Sequence, residues 1–135
     1  MKARKIAFLL VLSLGLLWFS ENFPVYRYFE PQSAGWTWWM SYAKDLIQPF
    51  AFYFFLCIGE KWLKTWRSRA LVAFGLPTLM EFAQDLYYRI WAGYQHTLVY
   101  FGAFDPLDLL MYAIGVALAV LVERQVFAKI FKFWE

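Results

Sequence analysis

The sequence is nearly devoid of thiol and imidazole chemistry. Its 135 residues include one cysteine, Cys57, and one histidine, His96. A single thiol cannot close an intrachain disulfide and leaves the redox compartment unreadable. One cysteine and one histidine form no tight metal-ligand motif, so no metal and no cofactor is expected. Charge is also scarce: Asp, Glu, Lys and Arg together make 17% of the chain, with a formal net charge of +3. That surplus is too weak and too dispersed for nucleic acid. There is no phosphate loop, no motif for an activated nucleophile, no internal repeat, no low-complexity stretch and no soluble linker.

What fills the sequence instead is apolar surface. Hydrophobic residues make up 62% of it and aromatics 24%, with a mean hydropathy of +0.45. A soluble domain of this length buries only part of what it owns, so lipid is the natural solvent for the remainder. Four apolar runs predict an all-α, polytopic membrane protein forming a single integral domain, with spans at about 5–21, 41–59, 70–89 and 105–123. The first run follows Lys2, Arg4 and Lys5 and ends without a small-residue cleavage pattern, which reads as an uncleaved signal anchor. Residues 125–135 alternate bulky apolar side chains with Lys129 and Lys132, a pattern that suits a segment lying on the inner membrane surface.

Loop charge gives the orientation. Placing the amino terminus inside puts ten of the 13 basic residues on the cytoplasmic side, leaving Arg27, Lys44 and Arg89 outside. Both termini then face the cytoplasm, and basic loops meet anionic lipid headgroups. The two outer connections are rich in Trp, Tyr and Phe, which prefer the headgroup region.

Ionisable groups within spans are costly, on the order of 2.5–3.5 kcal/mol each at a helix centre, and call for partners. At 1.5 Å rise per residue, Glu81 lies about 18 Å from the inner flank, Gln48 about 20 Å and Asp108 about 24 Å. All three fall in the outer half of a core about 30 Å thick. Glu81, Gln84, Asp85 and Tyr88 share one helical stripe; Asp105, Asp108, Tyr112, Gly115 and Ala119 share another; Asp45, Gln48 and Phe52 share a third. Pointing these stripes inward predicts a polar pocket that opens outward, with Lys44 and Arg89 near its mouth. Simpler roles compete at several positions. Asp105-Pro106-Leu107-Asp108 is a good helix start. Asp85 and Arg89 are spaced to pair. Gln48 and Gln84 suit interhelical glue, and Gly115 and Ala119 suit close packing. Pro77 is expected to kink its helix. His96 suits an interfacial side chain. Glu81 is too deep to cap either end and resists a purely structural account best.

Glu81-x-x-Gln84, then Arg89, then Asp108-x-x-x-Tyr112-x-x-Gly115 resembles the VanZ-like family of small bacterial membrane proteins. That family carries Glu-x-x-Gln on one helix, an Arg shortly after, and Asp-x-x-x-Asn-x-x-Gly on the next. Lys44-Asp45 resembles its short polar motif before the second span. Tyr112 stands where the family usually has Asn, and the stretch from Arg89 to Asp108 is longer than the family pattern. The resemblance implies an inner-membrane protein and a link to glycopeptide antibiotic resistance, without implying a settled reaction.

The expected function is binding or modifying an envelope component reached from outside, such as a lipid-linked precursor. Glu81 and Asp108 are the candidate acid/base pair, one giving a proton and the other taking it. Lys44, Asp45, Gln48, Gln84, Asp85, Arg89, Asp105 and Tyr112 are the candidate binding residues. Expected partners are membrane lipids, a lipid-linked substrate, and a second copy or another membrane protein. One rival reading is a non-catalytic small subunit or assembly factor whose carboxylates only hold helices together. Another is a proton-coupled carrier titrating Glu81, disfavoured in four spans without an inverted repeat.

Overall fold

The computed structural model describes residues 3–91 and 106–134, and among them every regular element is helical. Helix α1 spans Ala3–Asn22. Its hydroxyls are folded back onto its own backbone: Ser13 Oγ donates to the Leu9 carbonyl at 2.7 Å and Ser20 Oγ to Leu17 at 2.8 Å. This lets polar residues sit in an apolar helix without stranded donors. The helix stops two residues before Pro24, as the residue preceding proline is pushed out of the helical region. A short helix α2 follows at Val25–Tyr28.

The second rod begins earlier than the apolar run suggests. Helix α3, Ala34–Trp38, is capped by Ser33, whose hydroxyl accepts from the Trp36 amide at 3.3 Å. A π-helical turn at Trp39–Ala43 joins it to α4, Lys44–Leu56, which ends in a 3₁₀ turn at Cys57–Gly59. Helix α5 spans Trp66–Trp91. Thr65 caps it, its Oγ1 accepting from the Ser68 amide at 3.1 Å, so it starts before residue 70. Helix α6, Pro106–Leu121, runs through a π-helical turn at Val122–Phe127 into α7, Ala128–Ile130, and a final 3₁₀ turn covers Lys132–Trp134.

Two of these rods, Ala3–Asn22 and Pro106–Ile130, are long and apolar enough to cross a membrane. Helix α4 is the centre of the assembly and packs against α1, α5 and α6. The α4–α6 approach is close because α6 offers Gly115 there. A Cβ at that position would run into the Leu46 carbonyl oxygen. Ala119, one turn further on, is fully buried. These are the close-packing roles that the Gly115/Ala119 spacing predicts. The core gathers Leu9, Tyr53, Phe54, Cys57, Ala73, Val116, Ala119 and Trp134.

The chain past residue 125 departs from the surface placement expected of it. Phe127, Phe131 and Trp134 fold back on α1 and α4. The Phe127 ring lies 5.2 Å from Phe8, 5.3 Å from Phe54 and 5.2 Å from Trp134. Trp134 is 6% exposed. The bulky side chains here mark packing against neighbouring helices rather than a free amphipathic segment, because the open seam between α1 and α4 would otherwise leave Phe8 and Phe54 uncovered.

Candidate functional site

At the end of the assembly formed by the C-terminal half of α1 and the start of α4 lies a cavity of about 420 Å³. Its lining draws on four helices: Leu17 from α1, Asp45, Gln48, Pro49 and Phe52 from α4, Leu76, Pro77, Met80, Glu81 and Gln84 from α5, and Tyr112 from α6. Pro49 and Pro77 both border it. Each lacks an amide hydrogen and so releases the carbonyl four residues earlier from its helical bond, at Asp45 and Ala73. The cavity thus lies beside a missing backbone bond in each of two helices that otherwise run on unbroken.

Five residues expected from sequence stripes therefore meet: Asp45, Gln48, Glu81, Gln84 and Tyr112. The Tyr112 hydroxyl donates to Glu81 Oε1 at 2.6 Å, joining α6 to α5. Asp45 and Asp108 add their negative charge to that of Glu81 in the field at this phenol. Asp108 occupies the first turn of α6, one turn before Tyr112. It falls outside the cavity lining, and of the two proposed acid/base partners Glu81 is the one bonded to Tyr112. Asp85 is one turn beyond Glu81 on α5 and also falls outside the lining. The side chain of Arg89, together with Asp105 and His96, lies outside the described residues, and so does the expected Asp85–Arg89 pair.

Lys44 does not line the cavity either. It is held 4.0 Å from Glu21 Oε2, while Gln48 Nε2 donates to Glu21 Oε1 at 2.7 Å. Glu21 thus ties the end of α1 to α4 at the rim. In the sequence it reads as the polar end of the first apolar run; only its matching depth with Lys44 and Gln48 points to this role. Beside the rim, Phe19, Phe23, Tyr28 and Trp39 pack as an aromatic cluster, with the Phe23 and Trp39 rings 4.1 Å apart.

The opposite end carries a second polar cluster. Glu123 is 7% exposed and receives Arg69 Nη2 at 3.1 Å, the Tyr53 hydroxyl, and the Cys57 thiol at 3.9 Å. Arg69 also donates to the Leu63 carbonyl at 3.0 Å. Lys5, almost fully buried, bridges Glu60 at 3.0 Å and the Trp134 carbonyl at 2.9 Å. In the sequence these charges read only as flanks that set topology. Their pairing depends on how the helix ends converge, which spacing along the chain does not encode.

No metal-ligating group of three or more His, Cys, Asp or Glu is present among the described residues. The cavity chemistry is that of a carboxylate–phenol cluster with two amide side chains beside it, able to accept and donate hydrogen bonds to a polar ligand and to move a proton. No family model matches the chain, and neither a curated protein nor a solved structure shows significant similarity to it.

Proposed function

We propose that the protein is a four-span membrane protein of the inner (plasma) membrane, with both termini in the cytoplasm, that binds or modifies an envelope component through its outer cavity. The spans are α1, α3–α4, α5 and α6 with its extension. The observation that carries the reading is the cavity of about 420 Å³ in which Asp45, Gln48, Glu81, Gln84 and Tyr112 converge from three helices. Such polar groups at depth in lipid require a use. The membrane assignment draws further support from uncovered apolar surface. The apolar stretches of the two rods long and apolar enough to cross a membrane are only 22% and 28% buried within the protein. Helix α5, whose polar stripe lowers its hydropathy, turns Leu71, Leu79, Phe82 and Leu86 outward. A soluble fold would cover such a surface.

The Glu81-x-x-Gln84 and Asp108-x-x-x-Tyr112-x-x-Gly115 patterns carry the resemblance to VanZ-like proteins, and with it a link to glycopeptide resistance. A lipid-linked cell-wall precursor fits both that link and a cavity walled by lipid-facing helices. In this reading Glu81 and Asp108 exchange a proton through the Tyr112 hydroxyl, and the amides of Gln48 and Gln84 orient the ligand. The 2.6 Å Tyr112–Glu81 bond also favours a second reading, in which the carboxylates are interhelical ties in a non-catalytic subunit.

One experiment separates the two. A bacterial host expressing the protein is scored for teicoplanin tolerance and for protein level. Glu81→Gln keeps the shape and a hydrogen bond, so a purely structural tie survives it. The site reading expects tolerance to be lost at normal protein level; full tolerance in Glu81→Gln discards it. Orientation is checked on intact cells. With Cys57→Ser as background, a cysteine replacing His96 should react with an impermeant thiol reagent and one replacing Thr65 should not.

A further inference from the structure

A cleft of about 570 Å³ lies at the end of the protein opposite the outer cavity, lined by Lys5, Lys64, Arg67, Arg69 and Arg124 together with Glu60, Glu123 and Trp66. Two of its cations are already matched, Lys5 by Glu60 and Arg69 by Glu123. Lys64, Arg67 and Arg124 form no ion pair among the described residues, and all three are exposed. Two of them are nevertheless held together. The Arg67 guanidinium lies 5.5 Å from the Trp66 ring and that of Arg124, from the π-helical turn after α6, lies 5.1 Å from it. The indole draws both guanidiniums to one spot, where their remaining N–H donors suit an anion. The N-terminus of the 26-residue helix α5 opens at the same place and adds its partial positive charge.

A second depression begins at the same tryptophan. It measures about 400 Å³ and is walled by Trp66, Ala70, Phe74, Ala113, Val116, Ala117 and Val120, along the seam between α5 and α6. From Val120 to Ala113 it extends about 10 Å up the helices. A basic cleft continuous with an apolar groove matches an amphiphile, with a phosphate in the cleft and a hydrocarbon chain in the groove. We propose that this end of the protein binds an anionic phospholipid, its phosphate held by Lys64, Arg67 and Arg124 and one acyl chain laid along the α5–α6 seam. The shared chemistry is a phosphate ester. The groove selects a lipid over a free phosphate, because a soluble ion would use the cleft alone. The site is separate from the outer cavity and does not depend on its function.

The test uses the full chain purified in dodecyl maltoside and titrated with dioleoylphosphatidylglycerol, dioleoylphosphatidylcholine or inorganic phosphate. Retained lipid is counted by native mass spectrometry, and the unfolding midpoint is followed. Phosphatidylglycerol should be retained and raise the midpoint, and phosphatidylcholine should do neither. Arg67→Ala with Arg124→Ala should weaken phosphatidylglycerol binding about 25-fold, taking about fivefold for each cation removed. Ala117→Phe, which fills the groove and leaves every cation in place, should weaken it as well. Equal retention of the two lipids overturns the proposal, as does unchanged binding in the double variant. Inorganic phosphate that stabilises as strongly as phosphatidylglycerol, with Ala117→Phe without effect, identifies a free-phosphate site and overturns the lipid. If the double variant does not fold, Ala117→Phe decides: undiminished phosphatidylglycerol retention in it overturns the proposal.

Discussion

The two ends of this helical assembly use polar residues in opposite ways. At one end, Glu123, Arg69, Tyr53 and Cys57 are in direct contact beside Phe127 and Trp134, and the cleft there borders Arg69 and Glu123 without parting them. At the outer end, Asp45, Gln48, Glu81, Gln84 and Tyr112 border an open volume, and Glu81 and Gln84 remain partly or largely exposed. The same residue types therefore serve as a clamp in one place and as a lining in the other. The difference lies in the packing. Aromatic rings press on the clamp, whereas a proline in each of two helices borders the outer cavity. Charge held in direct contact with its counter-charge ties helices together even where it borders a cleft, and charge lining open space without such a partner is available to a ligand.

Substitutions can break that contrast. The largest effect is expected at Glu123. Its removal in Glu123→Ala leaves Arg69 buried without a counter-charge, which destabilises by about 3–5 kcal/mol; a sharp drop in membrane abundance and in the unfolding midpoint in detergent would register it. Gly115→Leu comes next. Its side chain must displace the α4 backbone at Leu46, costing about 1–3 kcal/mol, while Gly115→Ala should be milder. Thermal unfolding of the purified variants orders the two. Glu81 should behave differently from Glu123. Glu81→Gln should move stability by less than about 1 kcal/mol, because an amide still accepts from Tyr112. Glu81→Lys should lower abundance, since it removes the acceptor of the Tyr112 hydroxyl and puts a cation in its place. Equal losses in Glu81→Gln and Glu123→Gln would erase the distinction between lining and clamp. The smallest effect belongs to Glu21→Gln at the exposed rim. It should change stability by at most about 1 kcal/mol, and the change should shrink as salt is added.

Much of the outer site was legible because helical spacing is a local property. Glu81, Gln84 and Tyr112 lie on stripes that must face inward in lipid, and the structure brings them together with Asp45 and Gln48. The rods were legible for the same reason, though their ends were not. Ser33 and Thr65 start α3 and α5 before the apolar runs begin, since a cap acts through hydrogen bonds that hydropathy does not register. The clamp was not legible. Tyr53 and Glu123 are 70 residues apart, and nothing local states that one turn of α4 and one turn after α6 will lie at the same height. Trp134 was misread for a related reason. Alternation of bulky and basic residues describes a two-faced segment, and whether its apolar face meets lipid or protein is decided by the gap left between α1 and α4.

The return of Trp134 to Lys5 also joins two distant stretches of sequence in one contact. The Trp134 carbonyl accepts from the Lys5 ammonium at 2.9 Å across 129 residues of sequence, and the same cation lies 4.6 Å from the Trp134 ring. Phe8 and Phe54 lie against Phe127 of the same stretch, so this cluster forms only once α1, α4 and the turn after α6 are all in place. A contact of such long sequence separation closes late relative to the helices it joins, which makes it a latch on an assembly that is already helical.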